Sequence, residues 1–514
     1  MKYFLTLIQL WVGFLSICAS YPKANIWIIP SVESPQVYRN YAQTSKVHLE
    51  MARGEVEHIQ LVFPSKVNEE YRFTFDRYLK GIQISARELK KMNGYYDALV
   101  PFKNQLKCTD TLTAVWITVQ CPSRVPVGKY HQTIKIEGSK HFTIQLDYNV
   151  HHTTIPLKSS IPITVGVENR CMTEGLNDKE ADKERQRWVD FVLSYRMTPV
   201  FGTQITPERW QYEHSFSPWA WNDKRSIRLL NDRRYSCYML PFFTLSENEL
   251  ASLLCNIQKK GKLKESLFYI WDEPAYMEDY EQIKQKVNII RKYASDARIL
   301  TTFFCGPRNG PRKGDLYAVF DYLKHHIHVA TISLAPCKGN EEEVQHIRYK
   351  VPEGIDWWSY VCWQPGGNEP NFLLQMKGIQ QRAVMWRTWK NGSQGFLYWN
   401  CNIYHKRNPF TYITDMPHGD GILIYPGDIL GRKGPIASAR LERWRDGAEE
   451  MELLRLVEKN YSKEKADTLL NIVYSSPLSF IEKAHNIPFF RKELLDQLDK
   501  TIPIDYKLRI TDFI

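Results

Sequence analysis

Leu267-Phe268-Tyr269-Ile270-Trp271-Asp272-Glu273-Pro274 is the stretch whose reading decides the fold of this chain. A run of apolar and aromatic residues reads as a buried strand, and Pro274 ends it because proline brings no N–H to the ladder. Asp272 and Glu273 therefore stand at the rim of a core, where water begins. Two like charges so close raise the pKa of at least one of them, which lets a carboxylic acid stay protonated near neutral pH. The competing reading is that Asp-Glu-Pro only opens the next helix, since acids and proline both favour a first helical turn.

Outward from this octapeptide, residues 157–435 alternate between apolar strands and helical patterns. The expected strands are Ile163–Val167, Pro199–Gly202, Tyr235–Leu240, Leu267–Trp271, Ile299–Phe304, Val329–Leu334, Trp357–Cys362 and Gly395–Asn400. Leu250, Leu253, Leu254 and Ile257 mark one helix face between the third and fourth, and Ile283, Val287 and Ile290 mark another after the fourth. Eight strands alternating with helices predict a central (β/α)8 TIM barrel. Residues 21–156 instead alternate at period two, as in Phe142, Ile144, Leu146, Tyr148 and Val150. Short half-buried strands of this kind predict an antiparallel β-sandwich. Residues 436–514 read as a C-terminal helical segment packed on the barrel, with Leu441, Trp444, Ala448, Met451 and Leu454 at helical spacing.

The chain of 514 residues is 43% hydrophobic and 24% charged, which excludes global disorder and promises a large core. Its net charge of +11 is spread out, and no nucleic-acid-binding signature accompanies it, so no nucleic-acid partner is expected. Lys2 followed by the apolar run Phe4–Ile17 and small residues up to Ser20 reads as a signal peptide over 1–20. Lipidation of Cys18 is the alternative. No other segment is apolar enough to span a membrane. The cysteines show no Cys-x-x-Cys metal pattern, although Cys108 and Cys121 could form a bridge. His325, His326 and His328 lack a carboxylate or cysteine at ligand spacing, so neither a metal nor any other cofactor is expected.

A barrel of this kind carries its catalytic groups at the C-terminal ends of its strands. Asp272 and Glu273 end the fourth strand, which makes them the candidate catalytic residues. Ordinary glycosidases set two carboxyl groups about 5 Å or more apart, across the scissile bond. Neighbouring residues suit a different arrangement, in which the 2-acetamido oxygen of the substrate attacks the anomeric carbon to give an oxazolinium ion. Glu273, with the longer reach, is then the acid/base, and Asp272 holds the acetamido N–H. Tyr269, Trp358, Trp363, Tyr398, Trp399, Asn400 and Asn402 are the candidate sugar-binding residues, because aromatic faces stack on pyranose C–H and amides bond hydroxyls. Two alternatives stay open. One is a conventional two-carboxylate glycosidase using Asp356 or Asp420, and the other is a non-catalytic glycan-binding protein.

Several motifs in one order resemble glycoside hydrolase family 123. They are Ala52-Arg53-Gly54-Glu55, Trp116–Val119 with Val127-Gly128-Lys129-Tyr130, Trp271-Asp272-Glu273-Pro274 and Arg382–Lys390. Gly395-Phe396-Leu397-Tyr398-Trp399-Asn400, Gly421–Gly427 and Arg445-Asp446-Gly447 follow. The resemblance implies a β-sandwich before a (β/α)8 barrel, and retaining exo-cleavage of β-linked N-acetylgalactosamine by substrate assistance. It implies that Asp272 is the stabiliser and Glu273 the acid/base. A glycan substrate is expected on the same basis, and the N-terminal apolar run leads to the expectation of an exported, periplasmic or secreted location.

Overall fold

The computed structural model describes residues 26–76, 81–206, 211–404, 408–410 and 419–501. The expected signal peptide at 1–20 and the last residues of the chain lie outside them.

The N-terminal part is β-rich. Its strands are β1 (Trp27–Pro30), β2 (Lys46–Arg53), β3 (Glu55–Pro64), β4 (Glu70–Phe75), β5 (Gln83–Met92), β6 (Tyr95–Pro101), β7 (Gln105–Lys107), β8 (Leu112–Cys121), β9 (Gly128–Glu137) and β10 (His141–Thr154). They form two sheets, ordered β1-β3-β8-β5-β6 and β2-β10-β9-β4-β7. The period-two apolar residues meet between the sheets, with Ile59, Leu61, Ile117 and Val119 in one core with Met51, Ile134, Ile144 and Leu146. The expected antiparallel pairing fails at one edge, where β2 runs parallel to β10. Gly54, at φ +85°, turns β2 straight into β3 of the opposite sheet, so β2 has no hairpin partner in its own. Cys108 and Cys121 are free buried thiols, not a bridge.

The following part is built on one mixed sheet. Its strands are β11 (Ile163–Glu168), β12 (Thr198–Thr206), β13 (Gln211–Ser215), β14 (Tyr238–Met239), β15 (Ser266–Trp271), β16 (Arg298–Phe303), β17 (Val329–Ser333), β18 (Asp356–Val361) and β19 (Gly395–Tyr398). The order is β13-β12-β11-β19-β18-β17-β16-β15-β14, parallel throughout except for the β12–β13 hairpin. Two features differ from an eight-stranded closed barrel. The strand β13 is added, and the ladder stays open between the β12–β13 hairpin and the two-residue β14. Isolated bonds span that gap: Phe216 N–H donates to the Met239 carbonyl at 2.6 Å, and Ser236 N–H donates to Thr198 Oγ1 at 3.1 Å. The sheet is therefore nearly closed.

Helices alternate with these strands: α1 (Asn169–Thr173), α2 (Asp178–Ser194), α3 (Lys224–Leu229), α4 (Glu247–Lys259), α5 (Met277–Arg291), α6 (Ala318–Leu323), α7 (Glu341–Tyr349) and α8 (Gly378–Lys390). The apolar residues at helical spacing in α4 and α5 face the core. A short hairpin, β20 (Ile424–Pro426) with β21 (Pro435–Ala437), leads to α9 (Ala439–Asn460), α10 (Lys463–Leu470) and α11 (Ile487–Asp499). No helix among the described residues is long and apolar enough to cross a membrane.

The helix α9 is not amphipathic in the ordinary sense, because its charged residues are buried as well. Arg382 of α8 bonds Asp446 at 3.0 Å and Glu450 at 2.6 Å. His58 of β3 lies 3.1 Å from Glu442 and 3.3 Å from Asp446. Arg491 of α11 meets Glu55 at 2.8 Å and Glu57 at 2.9 Å. Glu449 accepts from Val56 N–H at 3.0 Å and from Arg196 Nε at 3.1 Å. Residues from the sequence motifs Ala52–Glu55, Arg382–Lys390 and Arg445-Asp446-Gly447 thus converge on one interior network. Gly447 permits the close approach of α8 and α9, since a Cβ there would sit 2.3 Å from the Arg382 carbonyl oxygen.

Candidate active site

The ends of the parallel strands open into a cleft of about 380 Å3. Strand β15 delivers Tyr269 into it and the turn after β15 delivers Asp272 and Glu273. Consecutive residues in an extended chain point opposite ways. Here Glu273 adopts φ +45°, a left-handed conformation costly for a residue with a Cβ, and both carboxylates line the same cleft.

The two acids have different surroundings. Asp272 Oδ1 accepts from the Tyr269 hydroxyl and from Thr302 Oγ1, each at 2.7 Å. Thr302 also accepts the Glu273 backbone N–H at 3.0 Å, so one threonine from the end of β16 fixes both residues. Glu273 accepts a hydrogen bond from the buried Tyr360 hydroxyl of β18. Its carboxyl opens onto the cleft but is hemmed in by protein, and this desolvation pushes its pKa up to about 7, helped by the charge of Asp272. Tyr360 and Arg308 pull the other way without prevailing.

Beside the pair, His214 of β13 stacks on Tyr269 with ring centroids 4.3 Å apart. Burial pushes its pKa down to about 4, so the ring is neutral where Glu273 titrates. On the far wall, Trp399 and Tyr398 are fixed from behind. Both donate to Asp420 Oδ1 at 3.1 Å, and the Tyr398 hydroxyl accepts Gly421 N–H at 3.0 Å. Gly166 of β11 lies under Trp399, where a Cβ would fall 1.8 Å from the Trp399 carbonyl oxygen.

Of the residues expected from sequence, Asp272, Glu273, Tyr269, Trp363, Tyr398, Trp399 and Asn400 all line this cleft. Trp363 is 43% exposed at the rim and lies parallel to Phe304. Trp358 does not line it: the ring is buried in the sheet interior, over Gly395. Asn402 does not line it either. It is fully buried and bonds the Glu168 backbone, accepting N–H at 2.7 Å and donating to the carbonyl at 3.1 Å. Asp356 begins β18, the end away from the cleft, and pairs with Arg298. Asp420 is buried behind Tyr398 and Trp399, and burial lifts its pKa to about 6. The sequence reading passed over Tyr212, His214 and Thr302. Only the threonine, at the end of an apolar strand next to the fourth, left a trace there. No cluster of potential metal ligands occurs among the described residues.

The catalytic-domain model of glycoside hydrolase family 123 matches residues 183–457. The chain belongs to that family. The match takes in β12 to β19, the acid pair and most of α9. A solved family 123 glycoside hydrolase from Clostridium perfringens, described for glycolipid glycan hydrolysis, superposes with a TM-score of 0.66 at 13% identity. The alignment covers 95% of this chain and 100% of that one, so the likeness of fold spans both parts of the molecule. A family 2 glycosyl hydrolase from Bacteroides cellulosilyticus matches at 11% identity and TM-score 0.29, over 69% of this chain and 45% of that one. No curated protein sequence matches the chain. As a member of family 123, it is a glycoside hydrolase.

Proposed function

We propose that this hydrolase is a retaining, exo-acting β-N-acetylhexosaminidase, exported from the cell, that cleaves β-linked N-acetylgalactosamine or a related 2-acetamido sugar with the substrate's own amide as nucleophile. We read the nearly closed sheet as a (β/α)8 barrel with one hairpin strand added, and the acid pair as lying at its catalytic end. Export rests on the N-terminal apolar run.

One observation carries the mechanism. The described walls of the cleft hold no carboxylate besides Asp272 and Glu273, and these are adjacent in the chain. Among the described residues, no second acid stands across a bound ring, as a two-carboxylate mechanism needs. Glu273, protonated near neutrality, gives its proton to the glycosidic oxygen as the bond to the anomeric carbon breaks. The acetamido oxygen forms the new bond to that carbon. Asp272, with Oδ1 already held by Tyr269 and Thr302, accepts the amide N–H through Oδ2 and balances the charge of the oxazolinium ion. Water then attacks the same carbon and gives its proton to Glu273, and two inversions return the original configuration. Trp399, Tyr398 and Asn400 would form the wall against the sugar.

Hydrolysis of aryl β-N-acetylgalactosaminide and β-N-acetylglucosaminide tests the sugar class. Glu273→Gln should lower kcat/KM on either by at least about 100-fold. A thiazoline analogue of the oxazolinium should inhibit competitively, and a thiazoline with no effect on turnover would sink the substrate-assisted mechanism.

A further inference from the structure

The Tyr398 and Trp399 wall of the cleft is held from the β-rich part as well as from its own sheet. Behind it runs one buried path of polar contacts, and the path begins at Asp97 of β6. Asp97 Oδ2 meets Arg440, at the start of α9, through Nη2 at 2.9 Å and Nε at 3.0 Å. The Tyr425 hydroxyl donates to the same oxygen at 2.6 Å. Both members of the pair are buried.

The guanidinium also grips backbone. Arg440 Nη1 donates to the carbonyls of Phe372 at 2.9 Å and Gly419 at 2.7 Å, and Nη2 donates to that of Ile422. Gly419 and Ile422 bracket Asp420, so the arginine fixes both ends of the turn that carries it. Two left-handed glycines let this turn fit. At Gly419 (φ +89°) a Cβ would fall 2.5 Å from Arg440 Nη1, and at Gly421 (φ +70°) one would fall 2.6 Å from the Trp399 ring. The turn is thus pressed against the arginine on one side and the indole on the other. Asp420 ends the path, its Oδ1 accepting from both Trp399 and Tyr398.

Stability alone does not call for a carboxylate here. Asp420 Oδ2 is buried without a hydrogen-bond partner, and an apolar residue would fill such a place at lower cost. What the carboxylate supplies is direction, since one oxygen takes two ring donors and fixes how each ring lies. Asp97, Arg440 and Asp420 are not among the described residues that line the cleft, so each acts on it through Tyr398 and Trp399. We propose, resting on the reading of Tyr398 and Trp399 as the sugar wall, that Asp97 of the β-rich part is a positioning residue for glycan cleavage, setting through Arg440 and Asp420 the angle at which those rings face the sugar. A wall that binds the sugar alike in ground and transition states affects KM more than kcat when it is loosened.

Two readouts on the full chain test this. The first is the indole N–H resonance of Trp399 in isotope-labelled protein without substrate, identified by its loss in Trp399→Phe. Asp420→Ala and Asp97→Asn should both shift it. Asp420→Asn keeps an acceptor oxygen and should shift it less than Asp420→Ala. The second readout is hydrolysis of an aryl β-N-acetylgalactosaminide. Asp420→Ala should raise KM by about tenfold, and Asp97→Asn by at least about threefold, the scale of lost hydrogen bonds. The alkaline limb of kcat/KM should stay in place, because neither residue touches Glu273. Glu57→Gln is the control: Glu57 is a buried acid of the same β-rich part, but it faces Arg491, off this path, and its replacement should move neither readout. If Asp97→Asn does not fold, Tyr425→Phe takes its place by removing one bond to Asp97. An unmoved resonance, an unmoved KM, or an equal effect of Glu57→Gln overturns the proposal. If the parent does not cleave the glycoside, the active-site reading falls, and the resonance alone decides whether Asp97 positions Trp399.

Discussion

At the scale of single residues, the proposed site gives two neighbouring carboxylates unlike surroundings. Asp272 is held by hydroxyl donors, whereas Glu273 is crowded by protein and by its neighbour's charge. With its pKa at about 7, Glu273 is protonated below that pH and loses its proton above it. On the proposed mechanism, kcat/KM should therefore fall as pH rises through about 7. Tyr360 donates to the ionised form and so favours it. Tyr360→Phe removes that bond, and the alkaline limb of the kcat/KM profile should move to higher pH. A limb that stays in place or moves down would show that Tyr360 does not tune this acid. His214 adds no limb between pH 5 and 9, because it is already neutral there.

Legibility in the sequence follows the same physics. Asp272 and Glu273 could be found because an apolar strand and a proline bracket them. Trp399 and Asn400 could be found because they end an apolar run. Trp358 misled because it lies on β18, the strand that carries Tyr360, and the sequence does not say which aromatic of such a strand reaches the cleft. Asn402 misled because a buried amide bonding backbone looks, in sequence, like one waiting for a ligand.

At the scale of elements, the strand β13 was hidden for a physical reason. Gln211-Tyr212-Glu213-His214-Ser215 shows no apolar alternation, yet both of its faces are used. Tyr212 and His214 line the cleft. Glu213, on the other face, accepts N–H groups from Phe242 at 2.8 Å and Thr244 at 2.7 Å. Hydrophobic periodicity cannot detect a strand whose inward residues are polar aromatics and whose outward residue is a buried carboxylate. His214 also carries a buried Nδ1 with no hydrogen-bond partner. His214→Phe keeps the stack on Tyr269 and removes that unsatisfied atom, so stability should hold or rise. His214→Ala loses the stack and should cost about 1–3 kcal/mol. Chemical denaturation of the two variants checks the pair, and equal losses would mean that the stack contributes nothing.

At the scale of the whole molecule, the alternating grammar after residue 157 was readable because parallel strands buried on both faces are nearly continuous apolar runs. Less readable was what α9 does. Its arginines and glutamates suggest a solvated face, but their partners lie far away in the chain, on β3, α8 and α11, and spacing within one helix cannot reveal them. Within this network, burial first and then the charge of Glu55 push Glu449 up to about 7, against the pull of Arg196 and Arg445. In the unfolded chain a glutamate gives up its proton near pH 4.3. Between that pH and about 7 the unfolded chain has released a proton that the folded one keeps, so the stability contributed by this group fades across the window and does not return above it. Glu449→Gln cannot ionise. Its Tm relative to the parent should therefore be higher at pH 8 than at pH 5, by scanning calorimetry at both. A difference independent of pH would mean that Glu449 is already ionised at pH 5.

The interior network has a consequence for how such a molecule can be inherited. Glu442, Asp446 and Glu450 have lost their water on the understanding that His58, Arg382 and Arg491 stand opposite them, and those partners come from three separate stretches of the chain. Removing one member of a buried pair is far costlier than leaving both in place. The β-rich part is thus not an accessory that recombination could detach or exchange for another sugar-binding module. Deleting it would take His58 from Glu442 and Asp446 and would take Glu55 and Glu57 from Arg491, leaving that side of the network unmatched.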